Sequence, residues 1–165
     1  MTGDIASWAK ELESPDVERR RHAAAKLSAC GTDARSAAPA LVRCASDPDD
    51  VVRESAVAAL EDLGEPEESA LASLLDSSNS ANADVAYWAV TLIGRLGNRG
   101  AAAVPQLSAA VSNHPANSVR ERATWALGQI GPPARSAVAV LQAAANSADS
   151  RLARLAREAL QRINR

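Results

Sequence analysis

The stretch Ser118–Gly131, SVRERATWALGQIG, contains the residue pattern that decides the fold. Taking its first apolar residue as i, apolar or small residues recur at i, i+4, i+7, i+8 and i+11, the spacing of one face of an amphipathic α-helix. These residues are Val119, Ala123, Ala126, Leu127 and Ile130. Gly131 can adopt the left-handed conformation that ends a helix, and the two prolines after it cannot continue one. The stretch therefore predicts a helix that stops at Gly131.

The same pattern recurs along the chain. DVVRESAVAALEDLG ends at Gly64 and ADVAYWAVTLIGRLG ends at Gly97, and the successive closing glycines from Gly31 to Gly131 are 33, 33 and 34 residues apart. Asn164 follows 33 residues after the last glycine, and asparagine is the next best residue at such a helix end. A fixed period of this length indicates a repeat architecture. We therefore predict one domain of five units, with the boundaries 1–31, 32–64, 65–97, 98–131 and 132–165.

Each unit is predicted to hold two helices. A shorter apolar helix precedes the one that ends at the glycine, and the joint between them is rich in Asp, Asn and Ser, which cap the following helix. Pro39 and Pro105 occupy matching places in the first helices of units two and four, where each either opens the helix or kinks it. The chain is therefore expected to be all-α.

The amino-acid composition limits which side chains can form the core and in which compartment the protein is expected. The 165 residues include no Phe, one Tyr and three Trp, so Ala, Leu and Val must form the core, and Trp8 is expected to close its N-terminal end. Cys30 and Cys44 are expected to be buried free thiols rather than a disulfide.

No apolar run reaches the ~18 residues of a membrane span, and the first residues lack the order of a secretory signal. A soluble, cytoplasmic protein without a membrane partner is expected.

The repeated motif resembles the HEAT repeat, in particular the phycobilisome-lyase-type HEAT-like form. Its pattern, A-x-P-x-L followed by V-R-x-x-A-x-x-A-L-x-x-[LI]-G, is complete in unit two (AAPAL, VRESAVAALEDLG) and unit four (AVPQL, VRERATWALGQIG). The other units depart from it: Arg19 stands at the Val position, Ala86 at the Arg position, and Leu152 with Ala153 replaces Val-Arg. The resemblance implies a right-handed α-solenoid of five stacked helix pairs, an armadillo-like superhelix whose second helices line the concave side. It also implies a protein-interaction scaffold, although some members are chromophore lyases, some bind or repair DNA, and some hold di-iron sites.

The residues disfavour the specialised activities of that family. The di-iron members use His-Glu pairs, whereas this chain has only His22 and His114, neither followed by Glu. No metal site, cofactor site or catalytic group is therefore predicted, and neither a nucleophile triad nor a glycine-rich phosphate loop is evident. The DNA-glycosylase branch would need a basic groove. The protein is expected not to be an enzyme.

Charge varies along the repeats. The formal charges of the five units are 0, −4, −4, +2 and +4. A groove that follows a phosphate backbone should be basic along its length, so nucleic-acid binding is disfavoured. The arginines of the last helix are interpreted as a solvated cap on the final repeat in preference to an anion site. These are Arg151, Arg154, Arg157, Arg162 and Arg165.

A partner-binding site is predicted on the side of the second helices opposite the apolar face. At about 100° per residue, the positions ten, six and three before each closing residue point away from the core. Tyr87 and Trp125 are the large aromatics in that set, Trp88 flanks them, and Thr91, Gly94 and Gly128 are their small neighbours. The two glycines either let something approach the helix backbone, or are neutral while Trp125 folds over the adjacent helix. The predicted site residues are Tyr87, Trp88, Trp125, Glu54, Glu121 and Arg154.

The function predicted from sequence is a non-catalytic protein–protein interaction scaffold that uses the concave face. The acidic neighbours of the aromatics favour a partner segment with basic residues next to an apolar one. The alternatives are a DNA-binding or DNA-glycosylase-like protein on the same scaffold, and a chromophore-lyase subunit. The identity of the protein or peptide partner, the oligomeric state and the completeness of the chain stay open.

Overall fold

The computed structural model describes residues 2–165, with side chains from residue 4 onward, and within that range it contains α-helices, 3₁₀ helices and no β-strand. The α-helices follow one another in pairs. They are α1 (Thr2–Glu11), α2 (Val17–Ser28), α3 (Ala38–Cys44), α4 (Asp50–Asp62), α5 (Leu71–Ser78), α6 (Ala83–Arg95), α7 (Val104–Asn113), α8 (Asn117–Ile130), α9 (Val138–Ala145) and α10 (Ser150–Ile163). Two pairs of equivalent helices pack together, α2 with α4 and α8 with α10. The predicted helix pairs are confirmed.

A 3₁₀ helix precedes the first α-helix of every later pair. These segments are Gly31–Ala37, Glu68–Ala70, Gly97–Ala103 and Pro132–Ala137. Pro39 and Pro105 lie in the first turn of α3 and α7, where the backbone N–H that proline lacks would have no intrahelical partner. Each proline therefore opens its helix, and the alternative of a kink is wrong.

The closing glycines have the conformation that the sequence predicts. Gly31, Gly64, Gly97 and Gly131 have φ values of 52°, 71°, 57° and 72°. At Gly131 the backbone N–H donates to the carbonyl of Leu127 at 3.2 Å, which ends α8. Asn164 differs, because its φ is −91° and no 3₁₀ helix starts from it. The prediction of a left-handed cap at Asn164 is wrong.

Small apolar side chains form the core. Leu60, Ile93 and Leu127, which occupy the same place in three successive repeats, are fully buried. Every aromatic side chain of the described residues keeps some exposure, including Trp8. Ala, Leu and Val therefore do the packing, as the composition predicts.

The two cysteines are both free thiols, but only one is buried. Burial raises the pKa of the Cys44 thiol to about 11. Cys30 lies in the turn after α2, where it is partly exposed and its thiol donates to the carbonyl of Lys26 at 3.2 Å. The expectation of burial is thus confirmed for Cys44 and wrong for Cys30.

Arginines anchor the second helices to the ends of the first helices. Arg20, Arg53 and Arg120, at the Arg position of the repeat, each donate to a backbone carbonyl at the end of the preceding helix or in the joint that follows it. In the last pair Ala153 occupies that position, and Arg157, one helical turn later, donates to the carbonyl of Ala145 at 2.8 Å. The last pair therefore keeps the contact between an arginine and a backbone carbonyl, although the Arg position of the motif is occupied by Ala153.

The chain divides into two compact units, Met1–Ala89 (unit A) and Val90–Arg165 (unit B). Unit A carries eight basic and seventeen acidic side chains, and unit B carries ten and three, so their formal charges are −9 and +7. The small net charge of −2 for the whole chain therefore conceals a strong difference between the two units. The sequence-based proposal of a single domain of five repeats remains a prediction.

Asp49 of unit A both caps α4 and pairs with an arginine. Its carboxylate accepts two hydrogen bonds from the Arg21 guanidinium, at 3.0 and 2.6 Å, and one from the N–H of Val52 at 3.1 Å. The Arg21 guanidinium, more than any other group, lowers the pKa of Asp49 to about 2. The ion pair is therefore kept at acidities where an ordinary Asp is protonated.

This depressed pKa predicts how Arg21→Gln depends on pH. A lowered carboxylate pKa contributes stability that is present above the unfolded-state pKa of about 3.9 and is lost as pH falls through the folded-state value. We expect Arg21→Gln to reduce the free energy of unfolding most above pH 4, with the difference from wild type shrinking towards pH 2. Urea denaturation at several pH values measures it. Arg35→Gln is the matched control, since Arg35 donates to the carbonyl of Thr32; an equal pH dependence in both variants would contradict the assignment.

Candidate functional site

Two of the predicted aromatics form a pair on α6 in unit A. Tyr87 and Trp88 are partly exposed, their ring centroids are 5.7 Å apart, and their planes meet at 89°. This edge-to-face geometry is favourable for aromatic rings. The predicted acidic neighbour Glu54 is exposed on α4. Unit A thus presents an aromatic pair on α6 and an exposed carboxylate on α4.

The third predicted aromatic, Trp125, lies on α8 in unit B. Its indole covers Gly94 of α6: a Cβ added at Gly94 would lie 2.5 Å from Cζ3 of Trp125 and 3.0 Å from Cα of Ala126. The guanidinium carbon of Arg122 is 5.0 Å from the ring centroid, which is a cation–π contact. The pKa of Arg122 is lowered by burial and, secondarily, by Arg151. Trp125 is held from two sides and still keeps some exposure.

The neighbouring small residues do not form an open surface, which corrects the sequence prediction. Thr91 is only 3% exposed, and Gly94 and Gly128 are both buried. A Cβ at Gly128 would lie 3.0 Å from Cα of Ala159, just as one at Gly94 would meet α8. The next second helix therefore covers these positions. The glycines allow helices to pack closely, and Trp125 does fold over the adjacent helix.

A shallow depression remains between α8 and α10. Gly128 and Ala159 form its floor, Trp125 and Leu155 its apolar sides, and Glu158 and Arg162 its polar edge. Leu155 and Arg162 were missed in the sequence analysis. Their spacing of seven residues on α10 places them on one helix face, but the cap interpretation assigned the arginines of this helix to solvent. We call these six residues the Trp125 depression.

The predicted charged residues of unit B are already paired. Nε of Arg151 lies 2.9 Å from Oε2 of Glu121, whose side chain is only 15% exposed. A guanidinium nitrogen of Arg154 lies 2.6 Å from Oε1 of Glu158. Arg154 and Glu121 therefore do not act as two separate free charges beside Trp125. By contrast, Arg162 forms no hydrogen bond or ion pair with any residue from 4 to 165.

A metal site would need several His, Cys, Asp or Glu side chains close together. No group of three or more His, Cys, Asp or Glu among the described residues is arranged to hold a metal ion. His114 uses Nδ1 to accept the backbone N–H of Ala116 at 3.1 Å, and His22 is exposed on α2. Over the same residues, no helix combines the length and apolar character that crossing a bilayer requires.

The stacked helix pairs define an all-α repeat protein of the α-solenoid class. The model of the HEAT repeats matches residues 5–80 and 70–161. The chain belongs to the HEAT repeat family, as the resemblance predicts. No curated protein matches it.

Solved structures share the fold. A designed armadillo repeat protein in complex with the peptide (KR)4 has a TM-score of 0.70 at 18% identity, over 98% of this chain and 82% of that one. The complex of CpcE and CpcF of phycocyanin lyase from Nostoc sp. PCC7120 has a TM-score of 0.65 at 22% identity, over 96% of this chain and 64% of that one. An engineered protein matches with a TM-score of 0.63 at 22% identity, over 98% and 80%. At these identities the similarity shows the fold.

Proposed function

We propose that this chain is a non-catalytic protein-binding module whose partner docks on the Trp125 depression. The observation that carries the proposal is the position of Trp125, a large aromatic that packs against Gly94 and Arg122 and is left partly exposed beside Leu155. A few residues, most often Trp, Tyr and Arg, supply most of the affinity in protein interfaces. A preformed anchor also loses little side-chain entropy on binding.

The structural neighbours support this type of function. One designed armadillo repeat protein is in complex with the peptide (KR)4, and CpcE is in complex with CpcF. Repeat scaffolds of this fold therefore hold both short peptides and whole proteins. For the present chain the Tyr87 and Trp88 pair of unit A is a second proposed anchor, with Glu54 as its acidic neighbour.

Peptide selection tests the proposal without a known partner. A phage-displayed random peptide library is panned against the full chain, and the affinities of the selected peptides are measured by fluorescence anisotropy. We expect Trp125→Ala to weaken their binding by about tenfold or more, the loss typical of an anchor residue. Tyr87→Ala and Trp88→Ala test the second anchor in the same assay.

Two further variants make the result specific. Trp8→Ala removes an indole of the same size from α1, outside the proposed site, and should leave the affinity unchanged. Leu155→Glu places a charge at another residue that lines the depression, so it tests the site even if Trp125→Ala perturbs packing. If folded Trp125→Ala and Leu155→Glu both bind selected peptides like wild type, or if the library yields no binder, the proposal is wrong.

A further inference from the structure

We infer that the segment bound at the Trp125 depression is an acidic peptide, with carboxylates that pair with Arg162 and an apolar side chain that packs against Trp125. This inference rests on the proposed function and specifies the chemistry of the partner. It reverses the expectation of a basic partner that the acidic neighbours suggested at the level of sequence.

The carboxylates of unit B are all engaged within the unit. There are three: Glu121 pairs with Arg151, Glu158 pairs with Arg154, and Asp149 accepts the N–H groups of Arg151 and Leu152 at the start of α10. Of the three, only Glu158 lines the depression, and its charge is balanced by Arg154. A basic peptide would therefore compete with Arg154 for the Glu158 carboxylate.

The cations of unit B outnumber its carboxylates. Unit B contains ten arginines and no lysine, and its formal charge is +7. Arg162 borders the Trp125 depression, with its Cδ 3.7 Å from where a Cβ at Gly128 would lie, and pairs with no carboxylate of the described chain. A guanidinium presents a planar fork of donors that matches a carboxylate in two hydrogen bonds. A carboxylate is therefore the group that Arg162 is suited to bind.

The apolar surface next to Arg162 offers a contact to an apolar side chain of the same peptide. Trp125 and Leu155 face the depression above the Gly128 and Ala159 floor. A ligand that places an apolar side chain there brings its neighbouring residues towards the arginine edge. The recognised sequence thus combines carboxylates with an apolar residue. The (KR)4 ligand of the designed armadillo neighbour is positively charged, as unit B is. It therefore has the opposite charge to the peptide inferred here.

Three labelled octapeptides with the same apolar residues test the charge preference. They alternate leucine with glutamate, with glutamine or with lysine, and each is titrated into the full chain by fluorescence anisotropy at low and moderate salt. We expect the glutamate peptide to bind about tenfold more tightly than the glutamine peptide at low salt, with the gap closing as salt rises. Arg162→Gln should weaken the glutamate peptide by about fivefold to tenfold and leave the glutamine peptide unchanged.

Matched variants identify the arginine responsible. Arg135→Gln and Arg165→Gln each remove one arginine of unit B that does not line the depression. They change the net charge by the same amount as Arg162→Gln and should have little effect. We expect the lysine peptide to be attracted to acidic unit A, so its binding should not respond to Arg162→Gln. If all three Arg→Gln variants weaken the glutamate peptide equally, the inference of a specific contact with Arg162 is overturned.

The remaining outcomes separate this inference from the proposed function. If library peptides require Trp125 but the glutamate peptide binds no better than the glutamine peptide, the acidic chemistry is wrong and the binding module stands. If duplex DNA binds in an Arg162-dependent manner and the glutamate peptide does not bind, the ligand is a nucleic acid and the inference is overturned. If no peptide of any kind binds, both proposals fail together.

Discussion

Leu127→Ala is expected to lower the free energy of unfolding by about 2–5 kcal/mol, the range measured for truncation of a buried leucine. Leu127 is completely inaccessible to solvent and lies on the face of α8 that carries Ala123, Ala126 and Ile130. In an alanine-rich core the neighbours have few long side chains that could move into the space. The cavity should therefore remain largely open and the loss should be near the upper part of the range. Urea denaturation followed by circular dichroism measures it.

A matched substitution shows that the loss comes from burial. Val51→Ala also removes methyl groups from a helix, but Val51 is 49% exposed, so its effect should stay within about 0.5 kcal/mol. Leu60→Ala and Ile93→Ala, at the same place in the two preceding repeats, should resemble Leu127→Ala. If Leu127→Ala melted like wild type, the register of the repeats deduced from the closing glycines would be wrong.

The second large effect is expected from Gly94→Ala. Alanine usually stabilises a helix interior by about 1 kcal/mol relative to glycine. Here the added Cβ would meet Cζ3 of Trp125 at 2.5 Å and the backbone Cα of Ala126 at 3.0 Å, and overpacking of this kind costs about 1–3 kcal/mol. We expect the clash to exceed the helix-propensity gain, giving a net destabilisation and a shift in tryptophan fluorescence as the indole is displaced.

A double-mutant cycle assigns the clash to Trp125. In the Trp125→Ala background Gly94→Ala should destabilise less, because the contact at 2.5 Å is gone. Gly128→Ala is the control, since its Cβ would meet Ala159 and the Arg162 side chain rather than an indole, and Trp125→Ala should not change its cost. Equal costs of Gly94→Ala in both backgrounds would show that the indole is not the group that meets the new methyl.

Repetition made the fold predictable from sequence, because each feature occurs several times. Gly64 and Gly131 mark equivalent helix ends, Pro39 and Pro105 mark equivalent helix starts, and the structure confirms both assignments. The periodicity of one helix also locates its own buried face. It cannot show what covers the other side, which is why Gly94 and Gly128 were expected to be open and are instead packed against the next helix.

Contacts between repeats limited the prediction of the site. The pairing of Glu121 with Arg151 joins residues in two different repeats, so counting charges unit by unit could not show that Glu121 is neutralised. Arg157 is a second example. The motif finds no arginine at Ala153 in unit five, but in the structure Arg157, one helical turn later, contacts a backbone carbonyl. Helix geometry preserves a contact across such a shift, whereas an aligned motif does not.

The unequal charges of units A and B affect how the protein behaves during purification. Its sequence isoelectric point of 5.7 reflects the summed charges of both units and describes neither unit by itself. A charged resin interacts with the part of a surface that faces it, and the ten arginines of unit B can be adsorbed by a cation exchanger at pH 7 although the formal net charge is −2. Retention on either type of ion exchanger is therefore no guide to the net charge of this protein.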